Sequence, residues 1–82
     1  MLFRSRAVAG ELERALENCN ESLRLKPDVS NTLDSRGLAH LKLGRLELAI
    51  ADYTAALKLD PKLAGSQYGR GVAKKQIGRA HV

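Results

Sequence analysis

Apolar residues return along this chain in steps of three and four. Leu46, Ala49, Ile50, Tyr53, Ala56 and Leu57 form one stripe, and Leu12, Ala15, Leu16, Cys19, Ser22 and Leu23 trace the same stripe earlier. That spacing is helical, and the sustained alternation of β-branched residues that marks strands is absent. Pro27 and Pro61 end the helices before them, because the residue preceding a proline avoids the α region. Ser30 or Asn31 is placed to cap the next helix, its side-chain oxygen accepting from free backbone N–H groups. Gly10 and Gly44 sit where a left-handed turn would end one helix and begin another. The pattern predicts helices over 11–26, 30–43 and 45–60 and from about 64 onward, with residues 6–9 as the stub of a preceding helix. Loops of two to five residues make sequential helices pack antiparallel.

The same punctuation recurs at a fixed interval. Shifting the chain by 34 residues superposes Gly10 on Gly44, Leu12 on Leu46, Glu13 on Glu47 and Ala15 on Ala49. Farther along, Leu23 falls on Leu57, Leu25 on Leu59, Pro27 on Pro61, Arg36 on Arg70, Gly37 on Gly71 and Ala39 on Ala73. These are 10 identities among the 33 pairs of residues 10–42 with 44–76, where chance gives about two. A period of this length is the mark of stacked helical hairpins. Gly37 and Gly71 lie inside helices, where glycine costs about 1 kcal/mol relative to alanine.

The stretch "SNTLDSRGLAHLKLGRLELAIADYTAALKLDP" resembles a tetratricopeptide repeat (TPR). The family pattern is met by a small residue in the first helix (Gly37), glycine in the inter-helix turn (Gly44), Ala49, Tyr53 and Ala56 in the second helix, and the closing Pro61. Ala15 and Pro27 repeat these positions one period earlier, and Gly71 one period later. Leu33 and His40 stand where the family often has aromatics, while Cys19 and Ser22 replace the aromatic and an alanine of the earlier repeat. The resemblance implies an all-α fold, antiparallel helix hairpins forming a short right-handed α-solenoid. It divides the chain into the end of one repeat (1–27), a complete repeat (28–63) and the first helix of a following repeat (64–82). It also accounts for Gly37: a side chain there would collide with the second helix near Ala49 and Tyr53. Gly71 needs the same contact, with a helix this segment lacks.

Composition changes the picture little. The 82 residues include 44% hydrophobic but only 4% aromatic residues and no tryptophan, so burial rests on Leu, Ala, Val and Ile. No apolar run approaches the roughly 20 residues that span a bilayer, and no export signal is visible, so no membrane is expected and cytoplasm is the default compartment. Cys19 is alone and forms no internal disulfide. The ends, "MLFRS" and "IGRAHV", resemble translated sequencing adapter. ATC GGA AGA GCA CAC GTC reads as residues 77–82, and the reverse complement of the same word with its preceding AG contains GTG CTC TTC CGA TCT, which reads as residues 1–5 with GTG as the start codon. On that reading the authentic segment is 6–76 of a longer protein, Phe3 and His81 leave the inventory, and the net charge falls from +5 to +3. Such a balance says little about partners. With about two repeat equivalents, the segment is expected to be marginally stable or to self-associate through helices 11–26 and 64–76.

Candidate chemistry is sparse. His40 reads as a core or semi-buried histidine and Cys19 as a small apolar core residue; neither has a second soft ligand at metal spacing. Glutamates 11, 13, 17 and 21 share helices with Arg14, Arg24 and Lys26, the pattern of a solvated face. The Asn20-Glu21-Ser22 sequon lies within a helix and is coincidental. No catalytic, cofactor or metal site is assigned, and the chain is not expected to be an enzyme. The resemblance implies a concave groove for a peptide or protein, lined by Asn31, Asp34, Ser35, Leu38 and Lys42 and by Tyr68, Val72 and Lys75 of the next repeat. Asn31 and Lys42 alone do not reproduce the carboxylate clamp of chaperone-binding members, so that ligand is not expected. A protein-interaction scaffold ranks first. An RNA-binding helical repeat ranks well below it, since those typically run 35 residues. A docking arm of an enzyme whose catalytic domain lies elsewhere is the third reading.

Overall fold

The structure, a computed structural model, describes the backbone of residues 2–80 and the side chains of residues 9–79. Met1 and residues 81–82 of the adapter-like ends lie outside the described residues, as do the side chains of residues 2–5 and of Ala80. Four helices follow one another: α1 (Leu2–Leu25), α2 (Ser30–Lys42), α3 (Leu46–Leu59) and α4 (Ala64–Ala80). Each packs on the next, and α2 also touches α4. Residue pairing shows the hairpins to be antiparallel. Leu23 meets Leu33 across α1 and α2 in one cluster. Arg36 reaches Asp52 across α2 and α3, and Ala49 meets Ala73 across α3 and α4.

The α2–α3 turn is built as the glycine demands. Gly44 has φ +80°, the only positive value among the described residues. Its N–H donates to the Leu41 carbonyl at 3.1 Å, and the Arg45 N–H donates to that of His40 at 2.8 Å. This pair of bonds closes the helix end by a Schellman arrangement, which needs a residue free to enter the left-handed region. The proline turns also behave as the spacing predicts, with α1 and α3 ending two residues before Pro27 and Pro61.

Two local expectations are corrected. Gly10 turns nothing, because α1 runs through it unbroken, and residues 6–9 belong to α1 rather than to a preceding helix. A lone glycine merely permits a turn; flanked by Val8, Ala9, Glu11 and Leu12, continuing the helix costs about 1 kcal/mol and keeps every backbone bond. Neither Ser30 nor Asn31 caps α2: Val29 takes that place without a side-chain hydrogen bond. Ser30 already lies in the helix, so its hydroxyl is past the position from which a side chain reaches back to the first free N–H groups.

The core is small and divided. Leu23, Leu33 and Ala56 form one buried cluster, covered by Ala55 and Leu63. Ala49, Tyr53 and Ala73 form the other, with Leu41, Leu46 and Ile50 packed on it. Tyr53 is the one large ring in the second cluster, and two glycines hold it. A Cβ on Gly37 would stand 2.9 Å from Tyr53 Cε1 and 3.0 Å from Cδ1, so the expected collision is with the tyrosine ring. A Cβ on Gly69, in α4, would run into Tyr53 Cζ and its hydroxyl. Gly71 has nothing within 4 Å of the same position. The ring is therefore clasped between the first helix of its own hairpin and the helix that follows.

Candidate functional site

The best-ordered polar chemistry lies where α1, α2 and α3 meet. Arg36 on α2 donates from Nε to Asp52 Oδ2 at 2.9 Å and from Nη2 to Oδ1 at 2.7 Å, a two-pronged pair. Its Nη1 donates to Asn20 Oδ1 on α1 at 2.9 Å. One guanidinium thus ties three helices, which only its planar, forked donor set can do. The Asp52 side chain is 8% exposed and that of Arg36 26%. The helical stripe of α3 places Asp52 beside Tyr53 on the inward face, which is why a carboxylate is buried here and needs this partner.

His40 stands one turn beyond Arg36, its Nε2 3.6 Å from Asp52 Oδ2 and its Nδ1 buried without a hydrogen-bond partner. Burial lowers its pKa below the usual 6.5 and outweighs the attraction of Asp52, while Arg36 on α2 and Arg45 before α3 push the same way. Glu13 on α1 opposes them. His40 is therefore neutral at pH 7, and its approach to Asp52 is not an ion pair. Because the unfolded chain binds this proton more tightly, stability is full above about pH 6.5 and falls as acid is added through the folded value. Urea unfolding at pH 7.5 and 5.5 is expected to show this loss, and His40→Gln to flatten it. Cys19 lies near the same charges; burial raises its thiol pKa first, Arg36 lowers it and Asp52 raises it. The net direction is upward, which keeps the sulfur a thiol rather than a nucleophile at neutral pH. Among the described residues no group of three His, Cys, Asp or Glu could hold a metal ion, and no helix is long and apolar enough to cross a membrane.

Of the eight expected groove residues, five line two separate concavities. Asn31 and Ser35 line one between α1 and α2, with Asn18, Cys19, Ser22 and Thr32. Tyr68, Val72 and Lys75 line another on α4, with Gln67 and Gly71. Leu38 is 44% exposed and Lys42 is exposed; neither lines these two hollows. Asp34 is engaged elsewhere: its Oδ1 accepts from Ser66 Oγ at 2.8 Å, and Ser66 is fully buried. That bond clamps α2 to α4 where Gly65 lets the helices approach, a Cβ there standing 3.3 Å from the Asp34 carboxylate. Sequence reading missed Asp52, Ser66 and Gly69. The period picks out Arg36 as a repeated position, but no single-sequence signal names its partner.

Consecutive antiparallel helices, of which the α2–α3 hairpin closes on Gly44 and carries alanine, tyrosine and alanine on its second helix, define a helical-repeat protein. Residues 37–78, half of the chain, match the TPR repeat family, and the chain belongs to it. No curated protein matches the chain, and no solved structure does. TPR repeats typically mediate protein–protein interaction and are generally non-catalytic scaffolds.

Proposed function

We propose that the chain is a protein-interaction module that holds a peptide or protein partner along the exposed face of α2 and α4. The supporting observation is that Tyr68 is 76% exposed in mid-surface, beside half-buried Val72 and exposed Lys75. Leu38 and Lys42 on α2 supply the same combination of apolar surface and ammonium group. Large amphipathic side chains left in water beside a hollow are the usual anchors of recognition. Leu25, Leu48 and Leu59 are exposed too, but singly and at helix ends. The test is selection of displayed random peptides on the full chain. Enriched peptides are expected to bind Tyr68→Ala and Lys75→Glu at least about tenfold more weakly, the scale of a lost hot spot, and Lys58→Glu on α3 unchanged. Failure to enrich any peptide, or equal binding to all three variants, would sink the proposal.

A further inference from the structure

Resting on the assignment of the α2–α4 face to a peptide, we infer that its ligand is an extended segment of ordered charge. A basic residue stands at one end, an apolar residue two places on, and an acidic residue two places beyond that. Asp34, Leu38 and Lys42 lie four apart on α2, so an acid, an apolar side chain and a base follow one another along one side of the helix. Both α2 and α4 run antiparallel to α3 and are therefore parallel to each other. On α4, Tyr68, Val72 and Lys75 repeat the order as aromatic, apolar and base. Helix α2 has α1, α3 and α4 packed on it and still leaves Leu38 and Lys42 exposed and Asp34 half-buried. The order is thus carried by a helix whose neighbours are in place.

The two ends select opposite charges. Asp34 is the only acid on α2 or α4. Its Oδ1 accepts from the neutral Ser66 hydroxyl, and no cation pairs with it among the described residues. Gly65, one turn before Tyr68, lies against the same carboxylate, which brings it beside the stretch of α4 that carries the exposed ring. A lysine or arginine of the ligand can meet both, its charge toward Asp34 and its head over the Tyr68 face. At the other end Lys42 and Lys75 form no ion pair among the described residues, which suits a carboxylate. The spacing follows from the two backbones. Asp34 and Lys42 are eight helical residues apart, about 12 Å at 1.5 Å per residue. An extended peptide advances about 3.3 Å per residue and turns alternate side chains to one face, so its first, third and fifth residues span about 13 Å and meet the three levels in turn. The contact of Gly65 and Ser66 with Asp34 holds α2 and α4 close, and the furrow between them suits a single strand better than a helix about 10 Å across.

Peptides selected from the displayed random set on the full chain test this when aligned on their apolar anchor. A basic residue two places to one side and an acidic residue two places to the other are expected in clear excess, in one order only. Charge exchange then ties the ends to their residues. K42E is expected to bind a selected peptide about three- to fivefold more weakly, the scale of one exposed ion pair, and to regain affinity when the acidic residue of the peptide is changed to lysine. D34N keeps an oxygen for Ser66 while removing the charge. It is expected to weaken the same peptide by a similar factor, and to leave unchanged the binding of a peptide with methionine in place of the basic residue. If D34N misfolds, the K42E exchange decides alone. Selected peptides with charges eight apart, or with no charge order, would overturn this inference and leave the peptide site standing, as would a K42E chain that the exchanged peptide does not rescue. A chain that selects no peptide overturns both.

Discussion

Replacing Tyr53 by alanine is expected to abolish the cooperative unfolding transition of this chain. Truncating a buried aromatic costs about 3–5 kcal/mol, and a domain of this size holds little more than the lower end of the usual 5–15 kcal/mol. The ring is almost wholly buried and touches the backbone of two different helices, so its loss opens both the α2–α3 and the α3–α4 contacts. Burial also pushes the Tyr53 hydroxyl pKa up to about 12, with Asp34 and Asp52 adding to the effect, so the buried group stays neutral. The sharper form of the prediction concerns Gly69. Gly69→Ala in the unaltered chain is expected to destabilise by about 1–3 kcal/mol, the usual cost of overpacking, because the tyrosine ring cannot retreat from a Cβ without pressing on Gly37. With Tyr53→Leu in place the same change is expected to be neutral or to stabilise, since alanine exceeds glycine by about 1 kcal/mol in a helix. Urea unfolding of the four chains measures the coupling. An equal cost of Gly69→Ala in both backgrounds would mean that the ring does not fill that space.

Arg36→Met is expected to cost about 2–4 kcal/mol, below the 3–5 kcal/mol of a fully buried pair because the arginine is partly exposed. The variant leaves the Asp52 carboxylate buried with no cation bonded to it, and it also releases Asn20 on α1. Asp52→Asn in the Arg36→Met chain is expected to recover much of that loss, because the cost lies in the stranded charge more than in the missing bond. Urea midpoints of the single and double variants decide the matter. A double variant as unstable as the sum of its singles would show that the two side chains act independently.

Much of the architecture was legible in the chain. Leu46, Ala49, Ile50 and Tyr53 could lie on one side only of a helix, and Gly44 and Pro61 could serve only where that helix began and ended. Gly37 was readable as a close approach because its repeat mate and the aromatic in the next helix stood in register. Gly10 misled because glycine allows a turn without requiring one. The charged cluster was hidden for a related reason: nothing local distinguishes Asp52 from the solvated acids around it, since its burial comes from the helix packed above. The candidate groove was legible only as a list of stations. Tyr68 and Val72 do share a hollow, while Asp34 is drawn to Ser66 by a helix contact that no periodicity reports.

Spacing and punctuation along the chain by themselves determined the proline- and Gly44-bounded helix ends, the hairpin order and the family, because side-chain period, proline and glycine act on near neighbours through fixed backbone geometry. The tertiary structure alone decided which polar groups are buried, which glycines clasp Tyr53, and which face of α4 lies open. Those outcomes depend on the distance between helices and on their rotation about their own axes. Both are settled by packing among residues far apart in the chain.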